Sequence, residues 1–431
     1  MSGNGTRRPG TGTTDVVVIG AGHSGLAMSA WLSAHCVDHV VLERGEIANS
    51  WRHERWDSLR LLTPNWQSRL PDYHYEGNDP HGFMSSADVA QFITRYAGFI
   101  GATVRTGTTV RSVTRHGDSF HVCTEQRGWR CQAVVLANGA HGIANIPALA
   151  ASLPAAVRSM SAKDYRNPGR LDDRGVLIVG ASATGLQLAD EIAASGREVT
   201  LAVGEHIRMP RSYRGHDIQW WLNAAGILDQ RFDQVDDLVR ARRLPSPQLI
   251  GAPRTLDLNA LTARGVHVVG RLVGLEGHTA KFSGGLRNEC TMADLKLARL
   301  LETFDALAVR DGLHGAPERF AATRVDDSPR LAIDLARQRI GTVIWATGFR
   351  PDYSWLRVPV FDHKGRLCHH GGLVAPGLYA LGLNFMRRRK SSFIHGAEDD
   401  VRELGSHLVG WLKQPAASRS MRRGMEMRAG I

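Results

Sequence analysis

The sequence is poor in cysteine, and its few cysteines lie far apart. The chain of 431 residues contains five, and no two of them are spaced as C-x-x-C. This spacing argues against a disulfide framework and against a dithiol redox centre. The adjacent histidines His369 and His370 have no further clustered ligands in the sequence, so we predict no metal site.

Long apolar runs are also missing. No stretch approaches the roughly 18 uninterrupted apolar residues of a membrane helix, so we expect no membrane span. Residues 1–14 are rich in glycine, threonine and arginine and lack the apolar segment of a secretory signal. We therefore expect a cytoplasmic protein in which residues 1–14 form a flexible tail. The basic residues 413–431 are expected to form a second one.

The charge is unbalanced, because 53 lysines and arginines face 42 acidic residues and give a net charge of +11. An excess of this sign can indicate a polyanionic partner. Here the charge is spread along the chain and no nucleic-acid-binding motif accompanies it, so we expect no nucleic-acid partner. Two bound dinucleotides would themselves use several arginines.

What the chain does have is a repeated strand–loop–helix unit. In the first copy the run of residues 15–19, apolar from Val16 onward, leads into a Gly-Ala-Gly-His-Ser-Gly loop. A helix follows, and the next strand ends on Glu43. Such glycines permit a tight turn, close approach of a diphosphate and tight packing of helix on strand. The acid can accept ribose hydroxyls and would repel a 2′-phosphate, so FAD or NAD is predicted here. The predicted contacts are Gly20, Ala21, Gly22, Ser24, Gly25 and Glu43.

The unit returns in the middle of the chain. Residues 175–179 lead to the loop Gly-Ala-Ser-Ala-Thr-Gly, whose serine is still small enough for close phosphate approach. No unambiguous ribose-binding acid follows the second strand. Arginines follow instead, and they favour NADPH over NADH because guanidinium groups match phosphate geometry. Glu205 is a competing signal, since an acid at this position favours NADH. The predicted contacts are Gly180, Ser182, Ala183, Thr184, Gly185, Arg208 and Arg211.

Together these segments resemble the flavin-containing monooxygenase-like superfamily, and specifically its bacterial CzcO-like branch of FAD/NAD(P)-binding oxidoreductases. The resemblance covers nearly all of residues 14–412. Besides the two loops and Glu43, it is carried by residues 50–64, 210–215, 346–352 and 381–400.

The resemblance implies roles for matched positions in the binding of FAD and NADPH. Trp51 and Arg55 would lie beside the FAD, and Leu62 and Thr63 would pass under the flavin ring. The backbone of Val110 would meet the adenine, and Thr347 and Gly348 would mark the return from the NADPH domain to the FAD domain. Arg44 and Gly382 complete the predicted cofactor contacts.

A basic run at residues 387–390 precedes the final predicted helix. Reduced flavin carries negative charge on its pyrimidine side, which arginines and a helix N-terminus would stabilise. A solvated basic turn is the alternative interpretation.

The expected fold class is α/β, with two doubly wound, Rossmann-like domains. The FAD-binding domain is expected at residues 15–165 and 335–412. The NADPH-binding domain would be inserted as residues 166–334, with a less regular part after about residue 225 that lines or covers the substrate site. The sequence leaves a homodimer open.

The resemblance implies an NADPH-dependent flavin monooxygenase. Its partners would be oxygen and a small molecule, which a flavin hydroperoxide would oxygenate at a nitrogen, sulfur or carbonyl centre. Asn65, directly after the Thr-Pro turn at the flavin, is the candidate catalytic residue. The alternative is that this asparagine only structures the loop.

The family motif F-x-G-x-x-x-H-x-x-x-(Y/W) is degraded in this chain. Tyr165 is kept, but Ser161 stands where the histidine is expected. This departure keeps two alternatives open. One is an NADPH-dependent reductase or oxidase that uses FAD without oxygenating anything. The other is a nucleotide-sensing regulatory flavoprotein associated with potassium transport.

Overall fold

The computed structural model describes residues 10–415. The two predicted tails, residues 1–14 and 413–431, fall largely outside this range. Within it, Thr11–Thr13 pairs in parallel with a later strand, Gly128–Cys131, so regular structure begins earlier than the sequence suggested.

The strands and helices are numbered in chain order. The strands are β1 (Thr11–Thr13), β2 (Val16–Ile19), β3 (His39–Leu42), β4 (Arg69–Leu70), β5 (Tyr73–His74), β6 (Val104–Arg105), β7 (Val110–His116), β8 (Ser119–Thr124), β9 (Gly128–Cys131), β10 (Ala133–Leu136), β11 (Ile143–Ala144), β12 (Arg158–Ser161), β13 (Gly175–Val179), β14 (Val199–Ala202), β15 (Ser212–Tyr213), β16 (His216–Asp217), β17 (His267–Val269), β18 (Leu272–Glu276), β19 (Thr279–Phe282), β20 (Ala332–Asp334), β21 (Ile340–Trp345), β22 (Phe349–Arg350), β23 (Leu373–Ala375) and β24 (Leu378–Ala380). The α-helices are α1 (His23–Ala34), α2 (Asn49–His53), α3 (Ser86–Phe99), α4 (Ala183–Ala194), α5 (Ile218–Ala224), α6 (Leu238–Ala241), α7 (Leu258–Ala263), α8 (Leu286–Arg310) and α9 (Ala397–Leu412). Short 3-10 helices stand at Asn65–Gln67, Ala148–Ser152, Pro168–Arg170, Phe232–Gln234, Arg389–Ser392 and Ile394–Gly396.

The first sheet has the strand order β23-β24-β10-β2-β3-β6 and is parallel except at β23. Its central strands β2 and β10 are buried along their whole length. Strands covered on both faces read as continuous apolar runs, which is why the sequence identified them. Helices α1, α3 and α9 pack around this core, and a second sheet, β1-β9-β8-β7, flanks it.

A separate parallel sheet, β12-β21-β13-β14-β17, forms the second dinucleotide domain. It includes β12 and β21, which the predicted boundaries at residues 165 and 335 assigned to the FAD domain. Those boundaries are wrong. The chain crosses between the two domains at the antiparallel ribbon of β11 and β22 instead. Two doubly wound domains, one inserted into the other, are nevertheless what the structure has.

The part after residue 225 is more regular than predicted. It contains the 25-residue helix α8 and the antiparallel sheet β18-β19-β20. One face of α8 is apolar, and its Phe304 packs with Trp221 and Leu249 in a separate hydrophobic cluster. Leu62 packs against the same cluster. It belongs to residues 50–64, which are predicted to lie along the flavin and are named here the flavin-side segment.

None of the helices between residues 10 and 415 has the combination of length and apolar character that a bilayer crossing requires.

Candidate functional site

The three glycines of the first loop, residues 20–25, face different surroundings. A Cβ on Gly20 would lie less than 3.0 Å from the carbonyl oxygen of Ala137, and one on Gly25 equally close to the carbonyl oxygen of Gly20. A Cβ on Gly22 would meet no atom within 4 Å. The outer glycines therefore permit close backbone packing, whereas the middle one borders free space at the N-terminus of α1. That space fits a diphosphate, which binds at such helix ends.

Ser24 adds a hydroxyl group to this loop. Its side chain is buried, and its Oγ atom has no hydrogen-bond partner in the described part of the chain. A Cβ on Gly382, which follows β24, would lie 2.7 Å from that oxygen. Because buried polar groups are normally paired, an unpaired hydroxyl between a glycine loop and Gly382 indicates a polar ligand such as a phosphate.

Glu43 lies at the carboxyl end of β3 and is 8% exposed. Its two carboxylate oxygens accept hydrogen bonds from Ala21 N at 2.9 Å and from Gly45 N at 3.0 Å. A carboxylate can accept about four hydrogen bonds, so capacity for ribose hydroxyls remains. The Glu43 carbonyl also accepts a bond from Thr108 N at 2.8 Å, which brings the start of β7, with Val110, to the same edge of the sheet.

The segment after Glu43 carries the aromatic and cationic residues predicted beside the FAD. The Arg55 guanidinium lies 5.3 Å from the centre of the Trp51 ring, and burial lowers its pKa. Arg44 pairs with Glu54, which also pairs with Lys163 at 3.0 Å. Arg55 has no such carboxylate partner in the described chain, so it is the better placed of the two predicted arginines to receive a phosphate.

Asn65 begins the 3-10 helix after Thr63 and Pro64. Its Nδ2 donates to the carbonyl oxygen of Asp79 at 2.8 Å, and its Oδ1 accepts from Met84 N at 2.8 Å. The side chain thus ties down the loop between those residues and is engaged at both ends. This geometry contradicts the predicted catalytic role and agrees with the loop-structuring alternative.

Gln67, two residues further on, was missed in the sequence. It is 3% exposed, and neither end of its amide has a hydrogen-bond partner in the described chain. A buried, unpaired polar group costs about 1–3 kcal/mol, so two on one side chain indicate a ligand that pairs with them. A polar residue close behind the Thr-Pro turn was the available signal, but no motif marked it.

The second loop, residues 180–185, repeats the packing of the first. Cβ atoms on Gly180 and Gly185 would collide with the backbone oxygens of Ala346 and Gly180 respectively. Ser182 is the N-cap residue of α4, and its side chain makes no capping hydrogen bond. Ala183 and Thr184 form the first turn of that helix. The loop therefore presents a second helix N-terminus at the edge of a parallel sheet.

Arg208 and Arg211 do not have the predicted role. Arg208 is 6% exposed and pairs with Asp257 and Asp294, each at 2.7 Å. Arg211 is 3% exposed, pairs with Asp217, and donates to the carbonyl oxygen of Leu62 at 2.9 Å. Both guanidinium groups are consumed inside the protein. Their assignment as ligands of the NADPH phosphate is therefore wrong.

A surface cavity of about 310 Å³ lies next to the end of β14. It is lined by Glu205, Asp237, Val239, Arg240, Arg243 and Leu244. Glu205 pairs with Lys296 at 3.1 Å. Two arginines that were not singled out in the sequence, Arg240 and Arg243, thus share a cavity with Glu205, which follows β14.

Thr347 and Gly348 lie at the crossing between the two domains. The Thr347 hydroxyl donates to the carbonyl oxygen of Asn145, and Asn145 N donates to the carbonyl oxygen of Gly348 at 2.9 Å. Gly348 has a φ of +84°, which favours glycine. These bonds hold the outgoing and returning segments together, as expected of a crossover.

The position of the family histidine offers no free side chain. The Ser161 hydroxyl donates to Asp164 Oδ2 at 2.7 Å, and Ser161 N donates to the same atom at 3.0 Å. Tyr165 is fully buried, and burial and the neighbouring Glu191 raise its pKa. The degraded motif forms a closed turn.

The basic run at residues 387–390 is also engaged within the protein. Arg387 and Arg388 pair with Glu403, Arg388 pairs further with Asp400 at 3.1 Å, and Lys390 pairs with Asp399 at 2.7 Å. The charges of Arg387, Arg388 and Lys390 are balanced by carboxylates of helix α9, so a solvated turn does not describe these three residues. Arg389 has no carboxylate partner among the described residues, and its Nε donates to Gln230 Oε1 at 2.7 Å.

Between residues 10 and 415, no group of three or more histidine, cysteine, aspartate or glutamate side chains is arranged to hold a metal ion.

Comparison with known proteins identifies the family and the fold. Residues 17–234, just over half of the chain, match the family described as pyridine nucleotide-disulphide oxidoreductase. An uncharacterized CzcO-like oxidoreductase of Geobacillus kaustophilus is 29% identical over 400 residues, which cover 92% of this chain and 98% of that protein. A probable indole-3-pyruvate monooxygenase of Arabidopsis thaliana is 27% identical over 207 residues, covering 46% of this chain and 53% of that protein.

Among solved structures, a flavin-containing monooxygenase from Stenotrophomonas maltophilia has the same fold. The TM-score is 0.65 at 21% identity, over 93% of this chain and 99% of that one. The predicted fold class, the resemblance to the CzcO-like branch and the predicted cofactors FAD and NADPH are supported by these findings. The chain belongs to the pyridine nucleotide-disulphide oxidoreductase family and is an FAD-dependent oxidoreductase of its CzcO-like branch.

Proposed function

We propose that this protein is an NADPH-dependent flavin monooxygenase that oxygenates a small molecule at a nitrogen, sulfur or carbonyl centre. The relatives support the class of reaction, because several are named as monooxygenases and one similar structure is an S-allyl-L-cysteine S-oxygenase of Allium sativum. The observation that carries the proposal is the combination of two glycine loops with no C-x-x-C pair in the whole sequence. Electrons delivered to the flavin therefore have no C-x-x-C dithiol of this chain as their acceptor.

The residues of the first site fit FAD. The N–H groups at the start of α1 and the Ser24 hydroxyl would bind the diphosphate, and Glu43 would accept the ribose hydroxyls. When bound, the flavin would supply hydride acceptance and the activation of oxygen. The protein's part is to orient it, and the unpaired amide of Gln67 is the group we assign to its polar edge. An amide can donate and accept at once, as a ring with both kinds of atom requires.

The inserted NADPH-binding domain would cover the substrate side. Leu62 is partly buried against the apolar cluster that contains Trp221 and Phe304, which would limit the access of water to this face of the flavin-side segment. Exclusion of water protects a reactive oxygen species from unproductive loss. An apolar cover also suits a small substrate with a soft or neutral reacting centre.

The 2′-phosphate of NADPH needs a new assignment, since Arg208 and Arg211 are occupied. We assign it to Arg240 and Arg243, because both line the cavity beside Glu205. An arginine pair offsets the carboxylate and binds phosphate through paired N–H groups.

Changing both arginines to alanine is expected to raise KM for NADPH about tenfold and to leave KM for NADH unchanged. Arg310→Ala, at the exposed end of α8, is the control. Equal effects on the two nucleotides would contradict the assignment.

Coupling tests the proposed reaction. NADPH and oxygen consumption are measured together with hydrogen peroxide release, in the presence of a thioether, a tertiary amine or a ketone. An accepted substrate is expected to give one oxygenated product per NADPH and to suppress peroxide. Peroxide equal to NADPH with every substrate would reject oxygenation.

One observation favours the second candidate, a reductase or oxidase that does not oxygenate. The hydroxyl of Ser161, which stands at the position of the family histidine, and the amide of Asn65, the predicted catalytic residue, are both tied to their own loops. If a quinone added to the coupling assay is reduced by NADPH while none of the offered substrates is oxygenated, this candidate replaces the first.

A further inference from the structure

We propose that Gln248 is a positioning residue that holds the second dinucleotide loop at a fixed place relative to the flavin-side segment. It belongs to residues 248–251, named here the bridge segment. This inference rests on the proposed function, because it assumes that NADPH binds at the second loop and reduces a flavin at the first site.

One end of the bridge segment holds the second loop. Gln248 is 1% exposed, and its Nε2 donates to the carbonyl oxygen of Ala181 at 2.8 Å. Its backbone N donates to the carbonyl oxygen of Ile207 at 2.8 Å, which fixes the residue on a second side. Ala181 stands between Gly180 and Ser182, so this bond acts directly on the phosphate-binding turn. The amide Oε1 has no partner in the described chain.

The other end of the bridge segment lies on the flavin-side segment. A Cβ on Gly251 would lie 2.7 Å from the carbonyl oxygen of Leu61, so the two backbones are in contact. Arg211 links the two segments, because its Nη1 donates to the carbonyl oxygen of Leu62 at 2.9 Å and to that of Ile250 at 3.3 Å. The buried arginine that does not bind NADPH thus links the two cofactor sites.

The first loop is held differently, which shows what Gln248 replaces. There the corresponding carbonyl, that of Ala21, accepts from the backbone N of Ala48 at 3.1 Å. Ala48 lies six residues after the end of β3 and precedes α2, so the first loop is held by the segment that follows its own strand–loop–helix–strand unit. The second loop is held by a side chain from the part of its domain after residue 225, 67 residues along the chain from Ala181. The position of the loop therefore depends on that part of the domain.

The consequence concerns the transfer of hydride between the two cofactors. Such transfer requires the reacting atoms to be held about 3–3.5 Å apart. A continuous path of contacts from Ala181 through Gln248 and Ile250 to Leu62 fixes the two sites to each other. Removal of the Gln248 donor is expected to free the loop without disturbing the FAD site.

The test is the rate of anaerobic reduction of bound flavin by NADPH, measured by rapid mixing of protein and nucleotide. Gln248→Met keeps the length of the side chain and removes the hydrogen-bond donor. We expect the NADPH concentration for half-maximal reduction to rise about tenfold, the change that loss of one ordinary hydrogen bond produces. FAD content and reduction by dithionite are expected to stay at the wild-type level.

Gln219→Met is the matched control. Gln219 is also a buried glutamine, 3% exposed with an unpaired Oε1, but it lies on α5 and has no bond to the second loop. If Gln248→Met shifts the NADPH requirement no more than this control does, the inference is overturned. If NADPH fails to reduce the flavin of the wild-type protein, the proposed function itself is overturned, and the inference with it.

Discussion

Gly22 borders free space at the N-terminus of α1, and its replacement by valine tests whether FAD binds there. The backbone at this position has φ −83° and ψ −177°, an extended conformation that valine readily adopts. A Cβ would meet no protein atom within 4 Å. The variant is therefore expected to fold, while its side chain occupies the space assigned to the diphosphate.

The size of the effect follows from the bonds lost. Hydrogen bonds to a charged group contribute about 1.5–3 kcal/mol each. Exclusion of the diphosphate from two N–H groups of the loop would cost about 3–6 kcal/mol, or about 10²- to 10⁴-fold in FAD affinity. The cost to folding is much smaller, about 1 kcal/mol for an unsuitable residue at a helix N-cap.

The assay is the ratio of flavin absorbance to protein absorbance after purification, together with the melting temperature of the FAD-free protein. Gly22→Val is expected to be colourless and folded. Gly98→Val, which also places a side chain in open space on a helix, is expected to stay yellow. Gly25→Ala should behave in a third way and lose its fold, because its Cβ would collide with the carbonyl oxygen of Gly20. A yellow Gly22→Val protein with one FAD per chain would refute the assignment.

Three further predictions follow from single side chains. Arg208→Ala leaves two aspartates without their buried partner and should lower the free energy of unfolding by about 3–5 kcal/mol, seen in urea titration; a KM increase for NADPH alone would contradict this structural role. Gln67→Leu should retain FAD but release more peroxide per NADPH, and unchanged coupling would remove Gln67 from the flavin site. Burial raises the pKa of Asp400 from 3.8 to about 6. Between these two pH values the folded protein keeps a proton on Asp400 that the unfolded chain has released. That stabilisation is complete below pH 3.8 and is lost as the pH rises through about 6. Asp400→Asn should therefore exceed the wild-type stability at pH 8 but not at pH 4, and a pH-independent difference would contradict the shift.

Both dinucleotide units could be predicted from the sequence because their signals are local. A buried parallel strand must be apolar throughout, and the loop after it needs small residues at fixed positions. The runs at residues 15–19 and 175–179, which the sequence marks as strands before the two loops, correspond to β2 and β13.

The domain boundaries could not be predicted in the same way, because they depend on pairing between distant strands. β12 and β21 pair with each other although about 180 residues separate them in the chain. Nothing in either segment alone says which sheet it joins. The apolar residues of β21 would suit a central strand of either domain.

The errors at the site have the same origin. Arginines after a strand match the pattern of a phosphate site, and the sequence cannot show that Asp257 and Asp294 return to occupy Arg208. Asn65 has the right residue type beside the flavin, but Met84 and Asp79 use its amide. A polar side chain becomes a candidate only when its partners are known. That criterion removes these residues.

The same criterion identifies Gln67 and Gln248. The placement of Gln248 indicates what the part of the chain after residue 225 contributes. The first unit needs no group from outside to hold its loop, because Ala48, in the segment that follows its second strand, donates a hydrogen bond to the carbonyl oxygen of Ala21. The second unit has instead a glutamine from a segment that also touches the flavin side. An arrangement in which each unit held its own loop would bind both nucleotides as well, but it would leave their separation to the domain interface. Here the bridge segment sets that separation, and rigid placement of donor and acceptor is what electron transfer between two bound cofactors demands.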